Sequence, residues 1–295
     1  MKVRIGMGVG AGALDADTLD EVAGAVVAGG LDSLWLSEVL TGPSADPLVA
    51  LSWAAARHPS LKVGTTMLLP GHNPLRLAKT VASLDRLSGG RLLTTFVPGL
   101  NTEPERATIG VEPARRPSAI DEVLPVLRRL WAGETVTWEG WGVNLERVRL
   151  QPTPVQDPFE VWLGGMAPAS LRRCGRLADG WLPSRCTPDA AAAGREIVDA
   201  AAAAAGRSIS DEHFGVSIGY ATGPLSERAA AAVAARARGG QVDDVVGVGW
   251  ERTRRLIERF IAAGFSKFVL RPLETPAEWG PAIAELADAL GDVQT

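Results

Sequence analysis

The stretch Leu77-Ala78-Lys79-Thr80-Val81-Ala82-Ser83-Leu84-Asp85-Arg86-Leu87-Ser88-Gly89-Gly90-Arg91-Leu92-Leu93-Thr94-Thr95-Phe96-Val97-Pro98-Gly99 decides the fold. In its first half Leu77, Val81, Leu84 and Leu87 recur at spacings of three and four, the period of a helix with one apolar face. Ser88-Gly89-Gly90 then stops that helix, because glycine tolerates the left-handed geometry common at helix C-termini. Residues 91–97 are mostly apolar and suit a strand buried on both faces. A helix that passes through a glycine turn into such a strand is the joint of a parallel α/β protein.

Outward from this joint, strand-like and helix-like segments alternate almost throughout, which predicts a parallel sheet with crossover helices. Strands are expected near 3–7, 33–37, 61–68, 91–97, 159–163, 180–183, 213–221 and 266–270. Helices are expected near 18–29, 46–57, 74–87, 116–132, 167–177, 187–205, 224–238, 250–263 and 276–290. Eight strands with intervening helices make a closed (β/α)8 TIM barrel, read as one domain over 1–295. Asp46-Pro47 and Asn73-Pro74 each pair a capping side chain with a first-turn proline. One segment breaks the alternation. Residues 135–151 read as a β-hairpin turned around Gly140 to Gly142, inserted between the fourth barrel helix and the fifth barrel strand. The alanine run at 190–205 is an ordinary outer helix, since alanine is the best helix former.

Composition narrows the function classes. The chain has 295 residues, 46% of them apolar, enough for a sizeable core. Its net charge of −4 argues against nucleic acid as a partner, which calls for clustered positive charge. Lys2 and Arg4 sit inside a strand-like run rather than ahead of an apolar one, and no apolar run is long enough to span a membrane, so the cytoplasm is the expected compartment. Cys174 and Cys186 have no companion histidine, and His58, His72 and His213 are scattered, so no metal site is expected. Cys174 falls on the apolar face of its helix as a core thiol. Among the nine tryptophans, Trp131, Trp138 and Trp141 read as helix and hairpin packing, and Trp162 and Trp181 as core positions on strands.

Gly8-Val9-Gly10-Ala11-Gly12-Ala13 after the first strand has the look of a dinucleotide fingerprint, with Glu38 where a ribose-binding acid would sit. In that arrangement the helix opens directly on the glycines. Here Leu14-Asp15-Ala16-Asp17 intervenes, with Asp17 or Thr18 as the expected cap, so a glycine-rich loop at a barrel mouth is the better reading.

Several phrases, in order, resemble the luciferase-like monooxygenase family, which includes flavin- and deazaflavin (F-420)-dependent oxidoreductases. They are Gly30-Leu31-Asp32-Ser33-Leu34-Trp35-Leu36-Ser37-Glu38, Asp46 to Leu51, Lys62 to Pro70, Leu84-Asp85-Arg86-Leu87-Ser88-Gly89-Gly90-Arg91, Leu130 to Glu134, Pro152 to Gln156, Val161 to Gly165 and Leu177 to Trp181. The resemblance implies hydride transfer between F-420 and a small organic substrate by a homodimer. FMN with monooxygenase chemistry is the alternative, and a catalytically silent flavin-binding barrel is another. The compact length without a long lid segment favours F-420.

Candidate site residues belong at the carboxyl ends of the strands. The resemblance implies a non-proline cis peptide at Thr66–Met67 under the ring, with Thr65 beside it; such a bond costs roughly 3–4 kcal/mol, and an ordinary trans strand is the alternative. Gly99 after the fourth strand, and Gly164 and Gly165 after the fifth, would let a ring or phosphate approach the backbone, or merely form tight turns. Ser184, Arg185 and Cys186 lie where relatives hold the cofactor phosphate: a helix start and a positive charge suit an anion there. Glu38 is the acid–base candidate. Relatives often follow this acid with histidine, and this chain has Val39 instead. Arg172-Arg173 reads as solvated surface, with attraction of an acidic cofactor tail as the other possibility.

Overall fold

The computed structural model describes residues 1–10, 14–99, 103–234 and 244–295, with the backbone only at 228 and 232. Residues 11–13 of the glycine-rich loop and 235–238 of the expected helix lie outside the described residues. The strands are β1 (Arg4–Gly8), β2 (Ser33–Ser37), β3 (Lys62–Leu68), β4 (Leu92–Val97), β5 (Thr135–Gly140), β6 (Val143–Arg149), β7 (Val161–Leu163), β8 (Gly180–Trp181), β9 (Gly215–Ala221), β10 (Val246–Val248) and β11 (Lys267–Pro272). The large parallel sheet runs β10-β9-β11-β1-β2-β3-β4-β7-β8. Its far end curls back on β9: Trp181 bridges Phe214, Ser184 bridges Ser217, and Ser217 N donates to Pro183 O at 2.8 Å. Eight strands thus close the expected barrel. Strand β10 is an addition, hydrogen-bonded to the C-terminal end of β9 with Val246 opposite Gly219.

The outer layer comprises α1 (Ala16–Ala28), α2 (Pro47–Arg57), α3 (Pro74–Leu87), α4 (Glu105–Thr108), α5 (Arg116–Trp131), α6 (Pro168–Leu177), α7 (Pro188–Ala204), α8 (Glu227–Ala234), α9 (Trp250–Ala262) and α10 (Trp279–Leu290). Asp46 and Asn73 cap α2 and α3 as their sequence predicts, accepting from Val49 N and Arg76 N at 3.1 Å each. The cap of α1 is Asp15, not Asp17 or Thr18. Its carboxylate accepts from Thr18 N at 2.8 Å, so the helix starts one residue beyond it.

The deciding joint folds as its pattern dictates, with Gly89 and Gly90 at φ 68° and 79° between α3 and β4. Leu77, Val81 and Leu84 are buried, but Leu87 is 77% exposed, because the helix ends there and its last turn clears the sheet. The buried polar residue on this helix is Asp85, which accepts from Val155 N at 2.7 Å and Gln156 N at 3.0 Å and so anchors the segment leading to β7. The hairpin β5–β6 turns on Trp141 and Gly142, both at positive φ, the conformation that matches the twist of a two-residue turn. Trp131 packs as expected, its indole donating to Ala78 O at 3.1 Å.

Inside the barrel, side chains from non-adjacent strands meet. Trp35, Trp162, Leu182 and Val269 form one buried cluster with Leu93 packed on it. Two indoles fit because neighbouring strands present glycine. A Cβ on Gly64 would lie 2.8 Å from Trp35 Cε3 and nearer still to Cδ2 and Cε2; one on Gly180 would lie 2.6 Å from Trp162 Nε1. Trp181 faces the other way, with its ring against α7 at Gly194 and its indole donating to Gly165 O at 3.0 Å. Below the indoles, buried Lys267 pairs with Asp32, which also accepts from Lys62 Nζ at 3.0 Å. Burial alone would raise the Asp32 pKa, but the two lysines hold it well below the carboxylate range.

Candidate active site

The indole layer lies across the barrel interior, and the C-terminal strand ends beyond it are the mouth of the barrel. Strand register fixes which residues face that mouth. Trp35 pairs with Gly64 and Ser37 with Thr66, so Thr66 faces inward while Thr65 and Met67 face the helix layer. Thr65 Oγ1 is buried there without a hydrogen-bond partner among the described residues, as is Thr94 Oγ1 opposite it on β4; Thr95 Oγ1, buried on the inward face, also has none among them. The Thr66–Met67 peptide is not cis. The cis bonds among the described residues all precede proline. Here β3 keeps regular pairing with β4 instead, Thr66 opposite Thr95 and Met67 opposite Phe96, which an extended trans strand provides.

The glycines at the mouth serve close packing. Gly99, at φ 89°, admits the Ile109 side chain, whose Cδ1 would be 2.6 Å from a Cβ. On Gly164 a Cβ would meet Val97 Cγ1 at 2.7 Å, and Gly165, at φ 113°, turns the chain into α6. Arg173 does not join the mouth. It is buried between α5 and α6, with Nε and Nη2 each 3.0 Å from the Asp121 carboxylate, while Arg172 is exposed.

Glu38 directly follows β2, and its carboxylate is nearly enclosed, with 4% of the side chain exposed. Oε2 accepts from Leu68 N at 2.7 Å, which caps the last free amide of β3. Oε1 lies 2.9 Å from Nε2 of His72, a half-buried residue in the turn between β3 and α3. Burial alone would lower the His72 pKa, but the hydrogen bond and charge of Glu38, with help from Asp46, leave it raised. Sequence reasoning missed this pair. His72 follows a predicted strand end and precedes the Asn73-Pro74 cap, and that position was the available signal.

Across β1 the mouth turns cationic. Ser184 and Arg185 are exposed in the segment before α7, with Arg185 at φ 56°. Thr187 caps α7, accepting from Ala190 N at 3.1 Å. Cys186 is buried and its thiol is pushed up to about 12 by desolvation, so it shapes the turn rather than reacting. Cys174 is likewise in the core, its Sγ 3.5 Å from Gly180 O. The second residue missed by the sequence reading is Arg271, near the end of β11. It lies across Gly8, where a Cβ would be 3.0 Å from its Cζ, and it donates to Ser217 Oγ at 3.0 Å and Val9 O at 3.1 Å. Desolvation, with repulsion from Arg185, lowers its pKa to about 10.

An acid–histidine pair and a cationic rim at the mouth of a parallel barrel agree with the sequence comparison: a model of the luciferase-like monooxygenase family matches residues 1–293. The chain belongs to the luciferase-like monooxygenase family. An uncharacterized protein of Mycobacterium tuberculosis is 35% identical over 139 residues, 46% of this chain and 49% of its own. The F420-dependent glucose-6-phosphate dehydrogenase of Kineococcus radiotolerans is 29% identical over 164 residues, 52% of this chain and 48% of its own. The chain therefore spans about half the length of the curated relatives it matches. Among solved structures, an F420-dependent secondary alcohol dehydrogenase in complex with an F420-acetone adduct superposes with a TM-score of 0.83 at 21% identity, covering 100% of both chains. That likeness shows the same luciferase-like barrel. Within it, His72 reaches the carboxylate that relatives often follow with a histidine and that this chain follows with Val39. Among the described residues no helix is long and apolar enough to cross a membrane.

Proposed function

We propose that this luciferase-like chain is an F420-dependent oxidoreductase acting on a small organic substrate. The observation that carries the proposal is the pair of buried Glu38 and half-buried His72 at 2.9 Å, set at the strand ends opposite a cationic rim. The F420-dependent names of a dehydrogenase relative and of a structural neighbour support the choice of cofactor. The donor set fits: Ser184, Arg185 and the amides at the start of α7 suit a phosphate, and Thr66 on β3 borders the space for a flat ring.

A bound deazaflavin supplies a two-electron hydride donor or acceptor. The chain supplies the rest. Arg185 and Ser184 would hold the cofactor's phosphate, and the Trp35–Trp162 layer keeps water from entering through the base. His72, kept protonated further into the neutral range by Glu38, gives a proton to the substrate or takes one from it. Glu38, tied down by Leu68 N, orients the imidazole. A cytoplasmic homodimer is part of the same proposal; two buried thiols without a disulfide support the compartment, and sedimentation tests the dimer.

Tryptophan-fluorescence titration of the cofactor-free protein tests the proposal. Saturable quenching by F420 and not by FMN is the expected result. Preference for FMN would make the chain a monooxygenase of the same family, and saturation by neither would reject both.

A further inference from the structure

The proposed function leaves Arg271 without a task, and its surroundings do not explain it structurally. Two other enclosed arginines have their charge matched or their donors more fully engaged. Arg173 is bidentate to Asp121, and Arg91 donates to the carbonyls of Ala55, His58, Leu61 and Ser88, locking a helix end to a strand. Arg271 meets only two neutral acceptors, Ser217 Oγ and Val9 O, and no carboxylate contacts it among the described residues. A guanidinium carries five N–H donors, so both Nη2 hydrogens and the second Nη1 hydrogen are left without an acceptor among those residues.

The position is costly for a charge. Arg271 is largely removed from water, and the charge that bears on it is that of Arg185, which repels it. It is also held still: Nε and Nη1 are fixed, its stem rests on Gly8, and β11 is hydrogen-bonded on both sides to β1 and β9. A preorganised cation of this kind, with a free edge and partial exposure to the mouth, is suited to grip two oxygens in parallel.

We propose that Arg271, seated on Ser217 and Val9, is an oxyanion receptor that binds a carboxylate or phosphate group of the molecule occupying the mouth. Arg185 faces the same anion from the loop above. Two molecules can bring that group: the cofactor, through its own phosphate, or an anionic substrate. The inference deepens the proposed function, but binding of a free anion does not depend on a deazaflavin.

The test begins with calorimetric titration of inorganic phosphate at low ionic strength into the cofactor-free wild type and Arg271→Met. The wild type is expected to bind, and the variant to bind roughly tenfold to a hundredfold more weakly, the scale of a charge-assisted hydrogen bond. Arg271→Lys keeps the charge without the fork and should fall between them. Should Arg271→Met fail to fold, Arg271→Lys and Ser217→Ala, which removes the Nε anchor, keep the test open: both must weaken phosphate binding. The second arm compares F420 with the same deazaflavin lacking its phosphate. If the substitution weakens binding of the phosphate-bearing form alone, the anion is the cofactor's. If both forms bind as before, and only the loaded wild type still binds phosphate, the anion belongs to the substrate. Equal phosphate binding by wild type and variants, or none by either, overturns the assignment. Phosphate binding without any deazaflavin binding would keep Arg271 as the receptor and reject the cofactor reading instead.

Discussion

Gly64→Ala inserts one methyl group against the face of Trp35. The new Cβ would stand 2.8 Å from Cε3 and nearer still to Cδ2 and Cε2. Carbon atoms not bonded to each other settle at about 3.5–4.0 Å, so the ring must withdraw by roughly 1 Å. Its way is blocked. The indole is tied to Ser33 Oγ at 2.9 Å, and Trp162, Leu182 and Val269 pack in the same cluster. Overpacking of such a site costs about 1–3 kcal/mol, and the lack of any yielding neighbour places Gly64→Ala in the upper half of that range. Urea unfolding followed by circular dichroism should show a lower midpoint with an unchanged slope. Trp35→Leu removes the ring that the methyl strikes, so the double variant should lose at least about 1 kcal/mol less than the sum of the two single variants. A Gly64→Ala protein within about 0.5 kcal/mol of wild type, or a strictly additive double variant, would refute the account of the barrel interior.

The base of the barrel gives a second expectation: Asp32→Asn leaves Lys267 buried without its carboxylate and should cost about 3–5 kcal/mol, whereas Asp32→Leu with Lys267→Met should recover most of it. Because the folded Asp32 pKa is depressed, its contribution is complete above the ordinary carboxylate pKa and is lost as the pH falls toward the folded value. Wild type should therefore lose stability in acid more steeply than Asp32→Asn; parallel profiles would contradict the pairing. The His72 pKa is raised, so the sign is opposite: the stability gap between wild type and His72→Asn should be full in acid and close as the pH rises through the folded value. Urea midpoints between pH 5 and 9 read that gap, and a flat difference would rule out the Glu38–His72 bond. Cys186, with its thiol pushed up to about 12, and buried Cys174 should both resist thiol reagents at pH 8 in the folded protein and react once urea unfolds it. Rapid labelling of either in the native state would count against their enclosure.

Periodicity made the barrel legible. The joint at 77–99, the two capped helices at Asp46 and Asn73, and the hairpin each rest on neighbours in sequence, so short-range rules suffice. Strand β10 escaped because three residues, Val246-Gly247-Val248, are too few to show a period. The start of α1 was misplaced by two or three residues because three acceptors, Asp15, Asp17 and Thr18, compete within one turn and only the backbone decides among them. Glu38 was legible from its place after an apolar strand. Its partner was not: His72 lies 34 positions away, and Arg271 is 54 positions from Ser217. Those meetings are products of barrel closure, which brings distant strand ends together. The trans peptide at Thr66–Met67 shows the converse, since the family resemblance fixes where a bond falls but not its geometry in this chain.

The indole layer also governs traffic. With Trp35 and Trp162 corking the axis from below, the mouth is a cul-de-sac with no passage through the barrel. Under the proposed function, a flat cofactor lying on that floor would be covered by its reaction partner. The depth of that mouth is thus set by two tryptophans and the glycines that make room for them.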